Sequence, residues 1–150
     1  MNNLAAFLAM IRHSEGTDKA PDPYAVTFGY QFTITDFSDH PAVLGTWTGE
    51  HYAGGFSTAA GAYQIIKSTW LALKARLHLP DFSANSQDAA ATELIRERSA
   101  MDLVNGGQVA DAIERCSSIW ASLPGSTSGQ PQAKLANLIQ AYQSNGGGLA

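Results

Sequence analysis

Apolar side chains recur with helical spacing at both ends of the chain. From Leu4 to Ile11 they fall at i, i+3, i+4 and i+7, which predicts a first helix with one buried stripe. An asparagine at position 2 or 3 suits the start of this helix, and Gly16 suits its end. Similar stripes predict four later helices, whose start signals are Ser68, Ser86, the break ending at Gly107, and Pro131.

The middle of the chain has a different pattern. From Tyr24 to Ile34 apolar and polar residues alternate, which is typical of β-strands, and Gly29 suits a turn or bulge between two short ones. From Asp36 to Gly61 glycine, serine, threonine and proline are frequent and no period remains, which indicates a loop. We therefore predict an α+β fold, mostly helical with a small β-hairpin lobe, and a cleft between its lobes.

Composition excludes several classes of protein. A length of 150 residues predicts one domain, residues 1–150, and 45% hydrophobic content excludes a disordered tail. A net charge of −4 with no basic stripe argues against a nucleic-acid partner. The single cysteine, Cys116, has no partner for an internal disulfide and is expected in the core. The apolar run Leu4–Ile11 is much shorter than the roughly 20 residues of a membrane span, so no stable membrane insertion is expected.

Glu15 is the first candidate for chemistry, because it lies at the end of the first helix, directly before Gly16. The negative end of the helix dipole disfavours a charged carboxylate there, and an apolar pocket would raise the pKa further. A carboxyl group that keeps its proton near neutral pH can act as a general acid. The alternative is an ordinary solvated glutamate near a helix end.

Asp36 is a candidate for a second carboxylate, as in the carboxylate pair that most glycosidases use. The alternative for Asp36 is a turn-forming residue, and that interpretation is favoured for Asp39, close before Pro41. The four histidines lack the spacing of zinc ligands, and no phosphate loop or dinucleotide motif is present. We therefore expect neither a metal nor a cofactor.

The segment from Phe56 to Ile65 combines small residues with groups suited to a polar, ring-shaped ligand. Its hydroxyl, aromatic and amide side chains, all candidates for substrate binding, are Ser57, Thr58, Tyr63 and Gln64. The alternative is a flexible loop with Tyr63 packed in the core.

Five strings of residues occur in the same order in lambda-phage-type lysozymes. They are SEGTD from Ser14, TDFSDHP around Asp36 to Pro41, STAAGAYQ from Ser57, LPDFSANSQDA from Leu79, and RCSSIWASLPG from Arg115. The match extends over nearly the whole chain. The sequence therefore resembles the lambda-type endolysins, a lytic transglycosylase family with a lysozyme-like α+β fold.

The resemblance implies a substrate and a mechanism. The substrate is the glycan strand of peptidoglycan, cut between N-acetylmuramic acid and N-acetylglucosamine. Glu15 corresponds to the essential glutamate of the family, which first protonates the glycosidic oxygen and then acts as base on the C6 hydroxyl of muramic acid. The product has a 1,6-anhydro end. Asp36 becomes a supporting or binding residue, and two loops, Gly54–Thr58 and Gly125–Gln130, form the lips of the cleft, with Gln130 binding substrate.

Two positions depart from the family pattern. Ala62 replaces an arginine, and Ser128 stands where an aromatic residue is expected, so the sugar contacts of the family are not carried over at either position. The alternatives to a transglycosylase are a hydrolytic muramidase that uses Glu15 with Asp36, and an inactive peptidoglycan-binding module. We expect a monomer that stays in the host cytoplasm until a holin-type membrane pore releases it to the periplasm and cell wall.

Overall fold

The computed structural model describes residues 2–127 and 131–150. Within these ranges the chain is mostly helical and contains one two-stranded antiparallel sheet, which confirms the predicted fold class. The α-helices are α1 (Asn3–Glu15), α2 (Pro41–Leu44), α3 (Lys67–Leu77), α4 (Ala84–Glu97), α5 (Met101–Asn105), α6 (Val109–Cys116) and α7 (Leu135–Ser144). The strands are β1 (Glu50–Tyr52) and β2 (Gly55–Ser57), and two short 3₁₀ turns span Thr17–Lys19 and Pro23–Ala25.

The chain divides into two compact units. The first comprises the part up to Gly16 and the part from Thr92 onward, and the second comprises Thr17–Ala91. In the first unit α1 packs against α5 and α7, and α6 packs against the same two helices. The core of this unit contains its largest fully buried side chains, which are Trp120, Tyr142, Phe7, Met10, Ile11, Ile95, Ile113 and Leu123.

Helix α1 has the bounds that its sequence predicts. The side chain of Asn2 accepts a hydrogen bond from the Ala5 amide at 3.0 Å, and this caps the first turn. Gly16 has a φ of 80°, and its N–H donates to the carbonyls of Arg12 and His13, which closes the last turn. Helix α1 therefore ends at Glu15 because a left-handed glycine follows it.

The predicted strands between Tyr24 and Ile34 are wrong. Isolated bridges join Val26 to Thr33 and Thr27 to Ala60, but no ladder extends from them. Consecutive residues from Ala25 to Thr27 are buried, so this segment has no solvent-facing side with alternate polar residues. The predicted turn is correct, since Gly29 has a φ of 86° and the Tyr30 amide donates to the Thr27 carbonyl.

The predicted loop from 36 to 61 is also wrong, because it contains α2 and the only sheet of the described residues. Strands β1 and β2 pair with His51 opposite Phe56, and a two-residue turn at Ala53 and Gly54 joins them. Most residues of both strands are exposed, so the hairpin leaves no alternation of apolar and polar positions in the sequence.

The starts of three other helices differ from their predicted signals. Helix α3 begins at Lys67, one residue before Ser68, and α4 begins at Ala84, with the Ser83 side chain accepting from the Ser86 amide at 3.3 Å. Helix α7 begins at Leu135 rather than at Pro131. Among the described residues, no helix is both long enough and apolar enough to span a bilayer.

Candidate active site

Glu15 is the last residue of α1 and is partly buried. Burial raises the pKa of its carboxyl group from an ordinary 4.5 to about 7, and a hydrogen bond with the Ser122 side chain lowers it by a smaller amount. The negative end of the helix dipole also disfavours a charged carboxylate at this position. A carboxyl group with a pKa near neutrality can hold a proton at neutral pH, which is what a general acid requires, and a catalytic role for Glu15 stays a prediction.

Ser122 was not among the residues that sequence reasoning singled out. It lies in a series of turns after α6, between two residues with almost no exposed surface, Trp120 and Leu123. Its hydroxyl lies 2.7 Å from that of Ser14 and also contacts the Glu15 carboxyl. The only signal in the sequence was that Ser122 belongs to one of the five shared strings.

Asp36 lies in the second unit and is exposed. One of its carboxylate oxygens accepts the Ser38 amide at 2.9 Å, and hydrogen bonds from the side chain and backbone of Ser38 lower the pKa of Asp36. This is the local geometry of a turn. A binding role for Asp36 stays a prediction.

The hydroxyl groups of Ser57 and Thr58 both accept hydrogen bonds from backbone amides. The Ser57 hydroxyl accepts the Ala59 amide at 3.1 Å, and the Thr58 hydroxyl accepts the Lys67 amide at 3.0 Å. The second bond satisfies an amide in the first turn of α3, which has no other side-chain cap. A substrate-binding role for either residue stays a prediction.

Tyr63 is fully buried, which is the alternative considered from its sequence. Its hydroxyl donates to Asp88 at 2.6 Å, and the Tyr24 hydroxyl donates to the same carboxylate oxygen at 2.9 Å. Gln64 has a left-handed φ of 50° and donates to the Gly61 carbonyl at 2.9 Å. Their predicted binding roles are untested, and Gln130, the remaining candidate, lies outside the described residues.

Gln87 holds the turn that precedes Tyr63 and was missed by sequence reasoning. Its amide nitrogen donates to the Phe82 carbonyl at 2.8 Å, and its amide oxygen accepts the Ala62 N–H at 2.9 Å. Gly61 leaves room for this side chain, since a Cβ at Gly61 would lie 2.3 Å from the Gln87 oxygen. Ala62, which stands where the family has an arginine, is fully buried.

Asp39 has a structural role, but its side-chain partners lie in α3 rather than in the turn that its sequence favours. Its carboxylate accepts from the Trp70 indole at 2.9 Å and from the Lys74 ammonium at 2.6 Å. Burial opposes ionisation of this group, but the bonds from Lys74, Trp70 and the His40 amide outweigh it and hold the pKa of Asp39 below its ordinary value. Asp39 therefore joins α3 to the segment before α2.

His40 is fully buried and lies beside Asp39 in the chain. Its Nε2 lies 2.9 Å from the Ile65 carbonyl, and its Nδ1 accepts the Ala42 amide at 3.1 Å. Nε2 therefore carries the hydrogen of a neutral ring. Burial lowers the pKa of His40, so this histidine is a structural residue of the second unit.

Cys116 and Trp47 also have structural positions. Cys116 is fully buried, as predicted, and burial raises the pKa of its thiol to about 12. Trp47 is buried, and its indole donates to Glu50 at 3.2 Å. Within residues 2–127 and 131–150, no three side chains of His, Cys, Asp or Glu come together in a group that could hold a metal ion.

Comparisons with known proteins agree with the resemblance read from the sequence. The family model described as Endolysin matches residues 5–149, so the chain belongs to the endolysin family. It is 42% identical to the endolysin of Escherichia phage lambda over an alignment of 151 positions, which covers 97% of this chain and 92% of that protein. It is 41% identical to the endolysin of Escherichia phage P2 over an alignment of 156 positions, which covers 97% of this chain and 93% of that protein.

The fold also matches a solved structure. Bacteriophage lambda lysozyme in complex with a chitohexasaccharide superposes with a TM-score of 0.90 and 39% identity, covering all of this chain and 97% of the other. The predicted lysozyme-like fold is therefore confirmed.

Proposed function

We propose that this protein cleaves the glycan strands of bacterial peptidoglycan, with Glu15 as the acid that starts the reaction. The bond cut is the β-1,4 linkage between N-acetylmuramic acid and N-acetylglucosamine. The observation that carries the proposal is the Glu15 carboxyl, partly buried at the end of α1 with a pKa of about 7. Membership in the endolysin family and the likeness to a lysozyme that binds a chitohexasaccharide support it.

The reaction proposed is a lytic transglycosylation. Protonated Glu15 donates its proton to the glycosidic oxygen as the C1–O bond breaks, and the N-acetylglucosamine end leaves as an alcohol. The resulting Glu15 carboxylate then takes the proton of the muramic acid C6 hydroxyl while that oxygen bonds to C1. The product is a 1,6-anhydro ring, Glu15 regains its proton, and no water is consumed.

The proposal needs one carboxyl group with a pKa near neutrality, because the same group gives and later accepts a proton. Glu15 meets this requirement. Asp36 differs from it, since hydrogen bonds from Ser38 favour its charged form. The second candidate function is a hydrolytic muramidase. In that reaction Asp36 would act as a base or orient the attacking water.

The test of the proposal is digestion of purified peptidoglycan by the unaltered protein and by Glu15→Gln. We expect Glu15→Gln to fold and to lose release of soluble fragments, because an amide cannot donate the required proton. The matched control is Glu114→Gln, the same chemical change on the exposed side of α6, which should retain activity. Substantial release by Glu15→Gln overturns the proposal.

Fragment masses separate the two reactions. Transglycosylation gives anhydro ends that are lighter by one water than the reducing ends of hydrolysis. Anhydro ends alone support the proposal, and reducing ends favour the muramidase. A protein that binds peptidoglycan yet releases no fragment would be the inactive binding module.

The remaining roles are part of the same proposal. The substrate-binding residues proposed are Asp36, Ser57, Thr58, Tyr63, Gln64 and Gln130. Residues 1–150 are proposed to act as one catalytic domain, which the family match over residues 5–149 supports. The protein is proposed to be a monomer that needs no cofactor and reaches the cell wall through a separate holin-type pore.

A further inference from the structure

Ser122 connects the last two residues of α1 through a single hydroxyl group. Its oxygen lies 2.7 Å from the Ser14 hydroxyl oxygen, and its side chain forms a hydrogen bond with the Glu15 carboxyl. Either serine can be the donor in the contact between them. Ser14, Ser122 and Glu15 therefore form a short chain of hydrogen bonds that ends on the proposed acid.

The backbone around Ser122 holds this hydroxyl in place. Trp120, two residues before Ser122, and Leu123, directly after it, are buried, and the Leu123 amide donates to the Trp120 carbonyl at 3.0 Å. The Ser122 carbonyl accepts the Ala133 amide at 2.8 Å, which ties the turn to the segment before α7. The backbone that carries this hydroxyl is therefore fixed by packing and hydrogen bonds of the first unit.

A hydroxyl group can serve both protonation states of a carboxyl group. It donates a hydrogen bond to an ionised carboxylate and accepts one from a protonated carboxylic acid. A second hydroxyl behind it completes either arrangement, because Ser14 can donate to Ser122 in the first state and accept from it in the second. An amide N–H or an ammonium group at the same place can only donate.

We propose that Ser122, supported by Ser14, is a positioning residue that keeps the Glu15 carboxyl oriented both before and after it transfers its proton. This inference rests on the proposed function, in which Glu15 acts first as acid and then as base. Reversal of the two serine hydroxyls costs only rotation about their C–O bonds. The carboxyl group therefore keeps a hydrogen-bond partner throughout the cycle.

The contribution of Ser122 can be separated from that of nearby charges. The titratable groups on α1 and on the helices packed against it are, besides Glu15, Arg12, His13, Asp102, Tyr142 and the Lys134 that precedes α7. None of these groups is altered in the variants below. A change in the titration of Glu15 can then be assigned to the serine hydroxyls.

The experiment is an NMR titration of the Glu15 carboxyl carbon in the full chain, together with kcat and KM on soluble peptidoglycan fragments as a function of pH. Ser122→Ala should raise the pKa of Glu15 by roughly one pH unit, the size expected when a charged group loses a hydrogen bond. It should lower kcat about tenfold and change KM little, because the substitution disturbs the orientation of the carboxyl group and not the binding of the substrate.

Three further variants complete the test. Ser122→Thr keeps the hydroxyl and should restore both the titration and kcat, and Ser14→Ala should give a smaller change in each. Ser117→Ala is the matched control, since Ser117 directly follows α6 and its hydroxyl donates to the Glu114 carbonyl in the last turn of that helix at 2.8 Å. Should Ser122→Ala fail to fold, Ser122→Cys replaces it, with a thiol that is a weaker donor.

An unchanged Glu15 titration in Ser122→Ala, or equal effects of Ser122→Ala and Ser122→Thr, overturns this inference. The titration needs no catalysis, so it is independent of the proposed function. If Glu15→Gln still releases fragments while Ser122→Ala shifts the Glu15 titration, the proposed function fails and the serine contact stands. If Glu15→Gln is inactive and the titration is unmoved, the positioning role alone fails.

Discussion

Replacing Glu15 by glutamine should stabilise the protein at neutral and alkaline pH while it removes activity. The unaltered chain must bury a carboxyl group whose charged form is disfavoured in the folded state. Glutamine has nearly the same shape, carries no charge and retains both a donor and an acceptor for Ser122. A gain in stability with a loss of function is typical of an active-site group.

The size of the effect follows from the pKa of Glu15. The pKa is about 7 in the folded state against an ordinary value of 4.5, and each pH unit corresponds to about 1.4 kcal/mol. Between these two values the folded state keeps a proton that the unfolded state has lost, so the stability of the unaltered chain falls as pH rises through the window. Above pH 7 the accumulated cost of the ionised carboxylate approaches roughly 3 kcal/mol.

The assay is urea unfolding of the unaltered chain, Glu15→Gln and Glu114→Gln at several pH values from 4 to 9. The difference between Glu15→Gln and the unaltered chain should grow as pH rises and level off above about 7.5. Glu114→Gln should run parallel to the unaltered chain. A difference for Glu15→Gln that is constant with pH, to within about 0.5 kcal/mol, would refute the claim that Glu15 is buried with a raised pKa.

Three further outcomes test the structure around the second unit. In urea unfolding, Gly61→Ala should lower the free energy of unfolding by at least about 2 kcal/mol, since Gly61 has a φ of 84° and the new Cβ would meet Gln87. Gly45→Ala is the control, because Gly45 has a similar φ of 79° but open space around it, and it should cost only about 1 kcal/mol. The His40 ring should titrate below 6.5 by NMR, with stability falling as pH drops through 6.5; a value at or above 6.5 contradicts its burial as a neutral ring. Asp39→Asn should cost about 2 kcal/mol by thermal unfolding, because the half-buried Lys74 and the buried Trp70 lose an ionised acceptor, and an unchanged Tm counts against that role.

The helices could be predicted where their ends depend on neighbouring residues. Asn2 and Gly16 bound α1 through contacts within a few residues, so the sequence alone places Glu15 at the end of that helix. Strands depend on partners that are distant in the chain. The segment from Ala25 to Thr27 alternates in hydrophobicity but is buried on consecutive residues, whereas the real hairpin at Glu50–Ser57 is mostly exposed and carries no alternation.

The candidate site was predictable in the same uneven way. Glu15 could be singled out as a candidate because it ends α1 directly before Gly16, but the larger cause of its raised pKa, burial, does not follow from that position. Ser122 could not, because its partner Ser14 is 108 residues away in the chain. Several shared motif residues, among them Asp39 and Gln87, prove to hold backbone and side chains in place. The resemblance identifies such residues but does not distinguish catalytic roles from structural ones.

The most direct test of the account is titration of the Glu15 carboxyl carbon by NMR in the unaltered protein, with its signal assigned by its loss in Glu15→Gln. The account predicts a midpoint at about pH 7. A midpoint at the ordinary 4.5 would mean that Glu15 is ionised at neutral pH, and the proposed acid would have no proton to give.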